Sequence, residues 1–212
     1  MNLFFDRLGV MKKLLEILVL SLFLITPSQA DDIRDFQIEG ITIGDSLLNH
    51  FTEEELKDYK FYYPASKKFV KFQTFSSKIY KKLKKLKTYK VLEFHYKNND
   101  SKYIISSIGG AIFYRNNMKD CYKKKNEIVS ELSELFINTK SYDNGIKKHI
   151  GDKSGKSTTN QFFFRLESGD TAKVSCFDWS KKFEKERGFA DHLKVGISDE
   201  EYKLWLRHEA YK

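Results

Sequence analysis

The sequence predicts an α+β domain, an antiparallel sheet with helices packed on one face, in which a helix-then-strands unit occurs twice. Three observations lead there. Period-2 alternation marks strands at 89–96 and 103–113, and again at 160–166 and 170–178, each pair separated by a turn-length connection. The stretch 117–136 instead carries the 3,4 spacing of an amphipathic helix. A chain of 212 residues, 41% of them hydrophobic, is enough for one core and too short for three domains.

The elements follow in order from the N-terminus. Arg7, Lys12 and Lys13 precede an apolar run over 14–25, broken only by Glu16 and Ser21, which ends at Pro27-Ser28-Gln29-Ala30. Basic, apolar and small-residue parts in that order read as a secretory signal. Cleavage near Ala30 is expected, whether translation starts at Met1 or Met11. The products are a signal peptide, 1–30, and a single exported domain, 31–212, in the periplasm or outside the cell. An uncleaved anchor is the competing reading, although the run is shorter than the ~20 residues a spanning helix needs. No cysteine stands at the junction to carry a lipid.

Residues 38–43 read as a short strand, turned by Gly44-Asp45-Ser46 into an apolar segment at Leu47, Leu48 and Phe51. Thr52 and Glu55 have capping-box spacing, so a helix is expected over 53–59. Further strands are expected at 69–75, 89–96 and 103–113. Asn98-Asn99-Asp100-Ser101 supplies the turn chemistry between the last two. In the long helix, Met118, Cys121, Lys125, Ile128, Leu132 and Leu135 line one inward stripe, with Asn116 or Asn117 as its cap. Around Glu167-Ser168-Gly169, a three-residue turn with Gly169 left-handed puts Phe162, Phe164 and Leu166 on the face of Ala172, Val174 and Cys176. Leu193, Val195 and Ile197 form a last strand, with His192 facing outward. Ser198 and Glu201 read as a second capping box, opening a helix with Tyr202, Trp205 and Leu206 on one side.

Cys121 and Cys176 both point at the same core. In an exported protein such a pair is expected as a disulfide, which would staple the long helix to the sheet.

Net charge is +9, but 32 of the 38 basic residues are Lys. That usage matches an AT-rich genome as well as it matches an acidic partner. Lys78, Lys81, Lys82, Lys84, Lys85, Lys87 and Lys90 form a basic run with Ile79, Leu83 and Leu86 at helical spacing. It reads either as a patch for anionic envelope surfaces or as a solvated segment. Nucleic acid is a poor partner, given export and so little Arg.

Gly151-Asp152-Lys153-Ser154-Gly155-Lys156-Ser157-Thr158 resembles a phosphate loop, yet only three residues separate its glycines and a strand pattern follows it, so no nucleotide is expected. The five histidines form no ligand box, and no metal or other cofactor is expected. No nucleophile motif is visible. Trp179, after Phe177 and Asp178, is either an aromatic contact for a partner or a cover for the sheet edge.

Residues 36–48, 110–121, 152–157, 174–179 and 192–195 together resemble a family of small exported proteins from AT-rich marine bacteria. That resemblance implies no activity and no site residues. The opening Ile38-Glu39-Gly40-Ile41-Thr42-Ile43-Gly44-Asp45-Ser46-Leu47-Leu48 is also similar to the entry of small periplasmic helix-on-sheet modules of the outer-membrane assembly lipoprotein and β-lactamase inhibitor protein type. Those modules bind partner proteins and are not enzymes. The expectation is a non-enzymatic module for an envelope protein or ligand. An envelope hydrolase with a site assembled in space is the alternative.

Overall fold

Among the described residues, eight antiparallel strands form one sheet in the order β1-β2-β3-β4-β8-β7-β6-β5. The computed structural model describes residues 32–58, 60–61, 71–76 and 86–210. The strands are β1 (Lys60–Phe61), β2 (Phe72–Ser76), β3 (Val91–Lys97), β4 (Ile105–Phe113), β5 (Lys140–Lys148), β6 (Thr158–Arg165), β7 (Thr171–Asp178) and β8 (His192–Ser198). Helices are α1 (Glu53–Asp58), α2 (Met118–Leu135), α3 (Lys181–Arg187) and α4 (Glu200–His208). The strand order shows the plan. A short helix precedes the meander β1 to β4, a long one precedes β5 to β8, and the two meanders meet at their last strands through the β4–β8 pairing.

Alternation divides every strand between two faces. On the front, Leu92, Phe94, Ile108, Val174, Cys176, Leu193, Val195 and Ile197 are at most 1% exposed. α2 lies over them and buries Cys121, Lys125, Ile128 and Leu132. Cys121 and Cys176 are disulfide-bonded, with Cα atoms 6.1 Å apart. Lys125, a cation on an apolar stripe, threads its stem through the packing and donates from Nζ to Asn160 Oδ1 at 2.7 Å, with Asp143 at 3.7 Å. The front core also takes Ile33, Phe36, Ile38, Ile41, Leu47, Phe51 and Leu56 from the N-terminal segment and α1.

Helix packing on one face thus describes α1 and α2. The short helices seat on the other side: α4 carries Tyr202 and Trp205 onto Phe72 in a separate apolar cluster, and α3 sets Phe183 against Trp179.

Local signals explain most boundaries. Thr52 N donates to Glu55 Oε2 at 2.7 Å and Glu55 N to Thr52 Oγ1 at 3.2 Å, the reciprocal capping box at the start of α1. Asn117 caps α2. Gly169 closes the β6–β7 hairpin at φ +90°, with the parity that the three-residue turn predicts.

Two expectations need correction, and two elements stand outside them. Residues 38–43 are not a strand: Glu39 and Gly40 both have positive φ, and Ile38 and Ile41 exchange backbone hydrogen bonds across them in a tight turn. The cap of α4 is Asp199, whose Oδ1 accepts from Tyr202 N at 2.6 Å, while Ser198 bonds Ser107 across the sheet. β5 and α3 were not expected, because β5 is a polar edge strand and α3 buries no residue, so neither shows hydrophobic periodicity.

Candidate functional site

The back face of the sheet holds the polar and aromatic groups that the core does not use. Its register lays them in rows. One row runs Glu93, Gly109, Gly196, Lys173, Phe163, Tyr142, from β3 to β5. The next runs Val91, Ala111, Lys194, Ser175, Gln161, and the one after it Phe113, His192, Phe177, Thr159, Lys147. The two glycines leave the middle of the first row without side chains. Lys194 uses that space: a Cβ on Gly109 would stand 2.6 Å from Lys194 Cε.

Lys194 Nζ donates to Glu93 Oε1 at 2.6 Å. The same carboxylate accepts from His95 Nε2 at 2.9 Å, and His95 Nδ1 lies 3.0 Å from Thr74 Oγ1. Burial disfavours the Glu93 carboxylate, but Lys194 and His95 outweigh it and hold the acid well below its usual range. Burial lowers the His95 imidazole against the pull of Glu93. A neutral His95 donating to Glu93 accepts from the Thr74 hydroxyl, the order of a nucleophile, base and orienting carboxylate. Access is what this arrangement lacks. Thr74 is 4% and His95 3% exposed, with the Tyr202 ring stacked on the imidazole at 4.6 Å. It ties α4 to the sheet rather than opening to a substrate.

Lys173 is different. Its Nζ sits 5.9 Å from the Phe163 centroid and makes no hydrogen bond or ion pair among the described residues. Burial, with Lys194 adding repulsion, pushes its ammonium down to about 8. Two residues along the same face, the Ser175 hydroxyl is buried and also without a partner among the described residues.

Beside this lies an aromatic mass. His192, Phe177, Trp179 and Phe183 stack in sequence at centroid distances of 4.7, 5.8 and 5.4 Å. Phe189 and His149 pack on Trp179 at 4.7 and 4.5 Å. Trp179 itself is 6% exposed, the hub of the group, and its Nε1 has no partner among the described residues. The open rim is Phe113 and Phe189, at 36 and 46% exposure. His192, expected to face solvent, is instead half-buried in the stack, and burial pushes it down to about 4.

Other candidates resolve into structure. Asp152 organises the 151–158 loop, accepting from Ser154 N at 2.9 Å, Ser157 N at 3.0 Å and Ser180 Oγ at 3.1 Å. Those amides face a carboxylate, which the Ser157 and Ser154 side chains, and then the amides, hold well below its usual range. A cleft of about 350 Å³ between the N-terminal segment, the start of β4 and the β6–β7 turn is lined by Asp32, Arg34, Asp170 and Asp199. All of its acids are engaged: Asp32 pairs with Arg34, Asp170 accepts from Glu200 N, and Asp199 from Tyr202 N. Among the described residues no cluster of three or more His, Cys, Asp or Glu forms a metal site, and no helix is long and apolar enough to cross a membrane.

In the basic run, Lys78, Lys81, Lys82, Lys84 and Lys85 lie outside the described residues, while Lys87 and Lys90 are exposed. Lys87 N, Thr88 N and Tyr89 N all donate to the Glu39 carboxylate, at 2.9, 2.7 and 3.1 Å, which pins the end of the run to the N-terminal turn.

Sequence reasoning singled out Trp179 but missed Lys173, Ser175 and Lys194, because outward positions of a half-buried strand read as solvent. Comparison of the chain with family profiles, with curated proteins and with solved structures finds no match.

Proposed function

We propose that the mature chain is an exported, non-enzymatic binding module that docks a partner protein of the envelope on the back face of its sheet. The observation that carries this reading is the aromatic mass around Trp179, whose rim of Phe113 and Phe189 stays open to solvent. Rigid rings with an exposed edge are the side chains that anchor protein interfaces. They stand apart from both buried apolar clusters, so core packing does not account for them. The leader-like N-terminus and the disulfide support export.

The test places a photo-crosslinking amino acid at Phe189 in the exported protein. A discrete adduct is expected, lost when Phe113→Ser is added and absent when the crosslinker replaces Glu131 on α2. Equal labelling from Glu131, or no adduct from Phe189, would overturn the proposal.

A further inference from the structure

The structure assigns a carboxylate-binding site to the back face, where Lys173 and Ser175 supply the two donors and Lys194 lines the far side. This rests on the back face being the binding surface and names what that surface recognises. The argument is one of missing partners. Lys173 and Ser175 are two residues apart on one strand, so both side chains leave the same face within about 7 Å of each other. Neither has an acceptor among the described residues. A half-buried ammonium and a buried hydroxyl without acceptors are both costly, and native sheets rarely keep either without a reason.

One ligand group removes both costs. A carboxylate has two oxygens, one for each donor, and the bond to Lys173 is charge-assisted. The local charge agrees: Lys173 and Lys194 against Glu93 leave one positive charge, which a monoanion neutralises. A phosphate dianion would face Glu93 without Arg or a cradle of backbone amides to hold it. Lys194 lies across Gly109, the Phe163 ring flanks Lys173, and Phe177 stacked on His192 forms the wall beyond Ser175. The ligand is therefore a carboxylate on an apolar or aromatic body. Its source is a small molecule or an acidic side chain of a partner segment.

The experiment titrates the oxidised mature protein, observed by amide NMR, with benzoate, with benzamide as the uncharged match, and with the blocked peptide acetyl-Phe-Asp-Phe-amide. Saturable shifts centred on residues 173–177 are expected with benzoate, the peptide or both, and none with benzamide. Benzoate alone identifies a small-molecule site; the peptide alone identifies a partner side chain. Lys173→Met, which removes an unpaired charge and is expected to fold, weakens binding at least tenfold. Ser175→Ala weakens it three- to tenfold, and Lys102→Met, at an exposed turn, leaves it unchanged. Equal binding of benzamide, unchanged affinity in Lys173→Met, or no saturation by either carboxylate would overturn the assignment. The crosslink from Phe189 does not depend on this outcome, so each proposal fails separately.

Discussion

The two faces of this sheet are made by alternate residues of the same strands, yet they do opposite things. Along β7, Ala172, Val174 and Cys176 go under α2 and are 0% exposed, while Lys173, Ser175 and Phe177 face away from it. Along β8, Leu193, Val195 and Ile197 oppose His192, Lys194 and Gly196 in the same way. The front is packed apolar, and its buried cation, Lys125 on α2, is bonded to Asn160. The back leaves donors without acceptors and rings at the surface, arrangements that cost stability and are kept where a surface has other work.

The disulfide gives the largest test of that contrast, since it belongs wholly to the front. Replacing Cys121 and Cys176 together by Ser is expected to lower unfolding free energy by about 4 kcal/mol on the chain-entropy estimate for a 55-residue separation, read from urea unfolding. A loss below 1 kcal/mol would mean that apolar contacts alone hold α2 in place. Two titratable thiols in purified, non-reduced protein would remove the staple altogether.

His192 gives the next. Its folded pKa of about 4 lies below the ordinary value of 6.5, so the unfolded chain takes the proton first. Stability present above pH 6.5 is therefore lost as the pH falls toward 4, by on the order of 2–3 kcal/mol, and the loss stops once both states are protonated. In His192→Phe that part of the pH profile flattens. An unchanged profile would show the ring to be solvated and the aromatic stack to be loose.

The smallest effect is expected at Phe189. Its change to Ser leaves stability within about 0.5 kcal/mol in the same urea assay, because nearly half the ring is already in water. A loss above 1.5 kcal/mol would move Phe189 into the core and take away the rim.

What was legible in the sequence follows this division. The stripe on α2, the parity of the β6–β7 hairpin and the Thr52–Glu55 box are local patterns with one physical solution, and the first two place Cys121 and Cys176 on one core. β5 was not legible because Lys140–Lys148 is a bulged edge strand whose apolar residues, Tyr142 and Ile146, fall on opposite faces. α3 had a readable frame in Ser180 and Gly188, which cap its two ends, but no apolar stripe to draw attention to it. The back-face site was hidden for a different reason. Its row from Glu93 to Lys173 exists only once β4 lies beside β8, and alternation does not say which strands are neighbours.

The border between the two meanders also sets the order of events as the chain folds. Ser107 bonds the carbonyl of Ile197 and the hydroxyl of Ser198, so the first half of the sheet keeps a bare edge until some 90 further residues have been made. An unpaired rim of that length is a template for self-association. Every nascent molecule passes through this exposure, and a fragment ending before 192 never leaves it. β8, the last strand, thus acts as the clasp that turns a vulnerable intermediate into a finished protein.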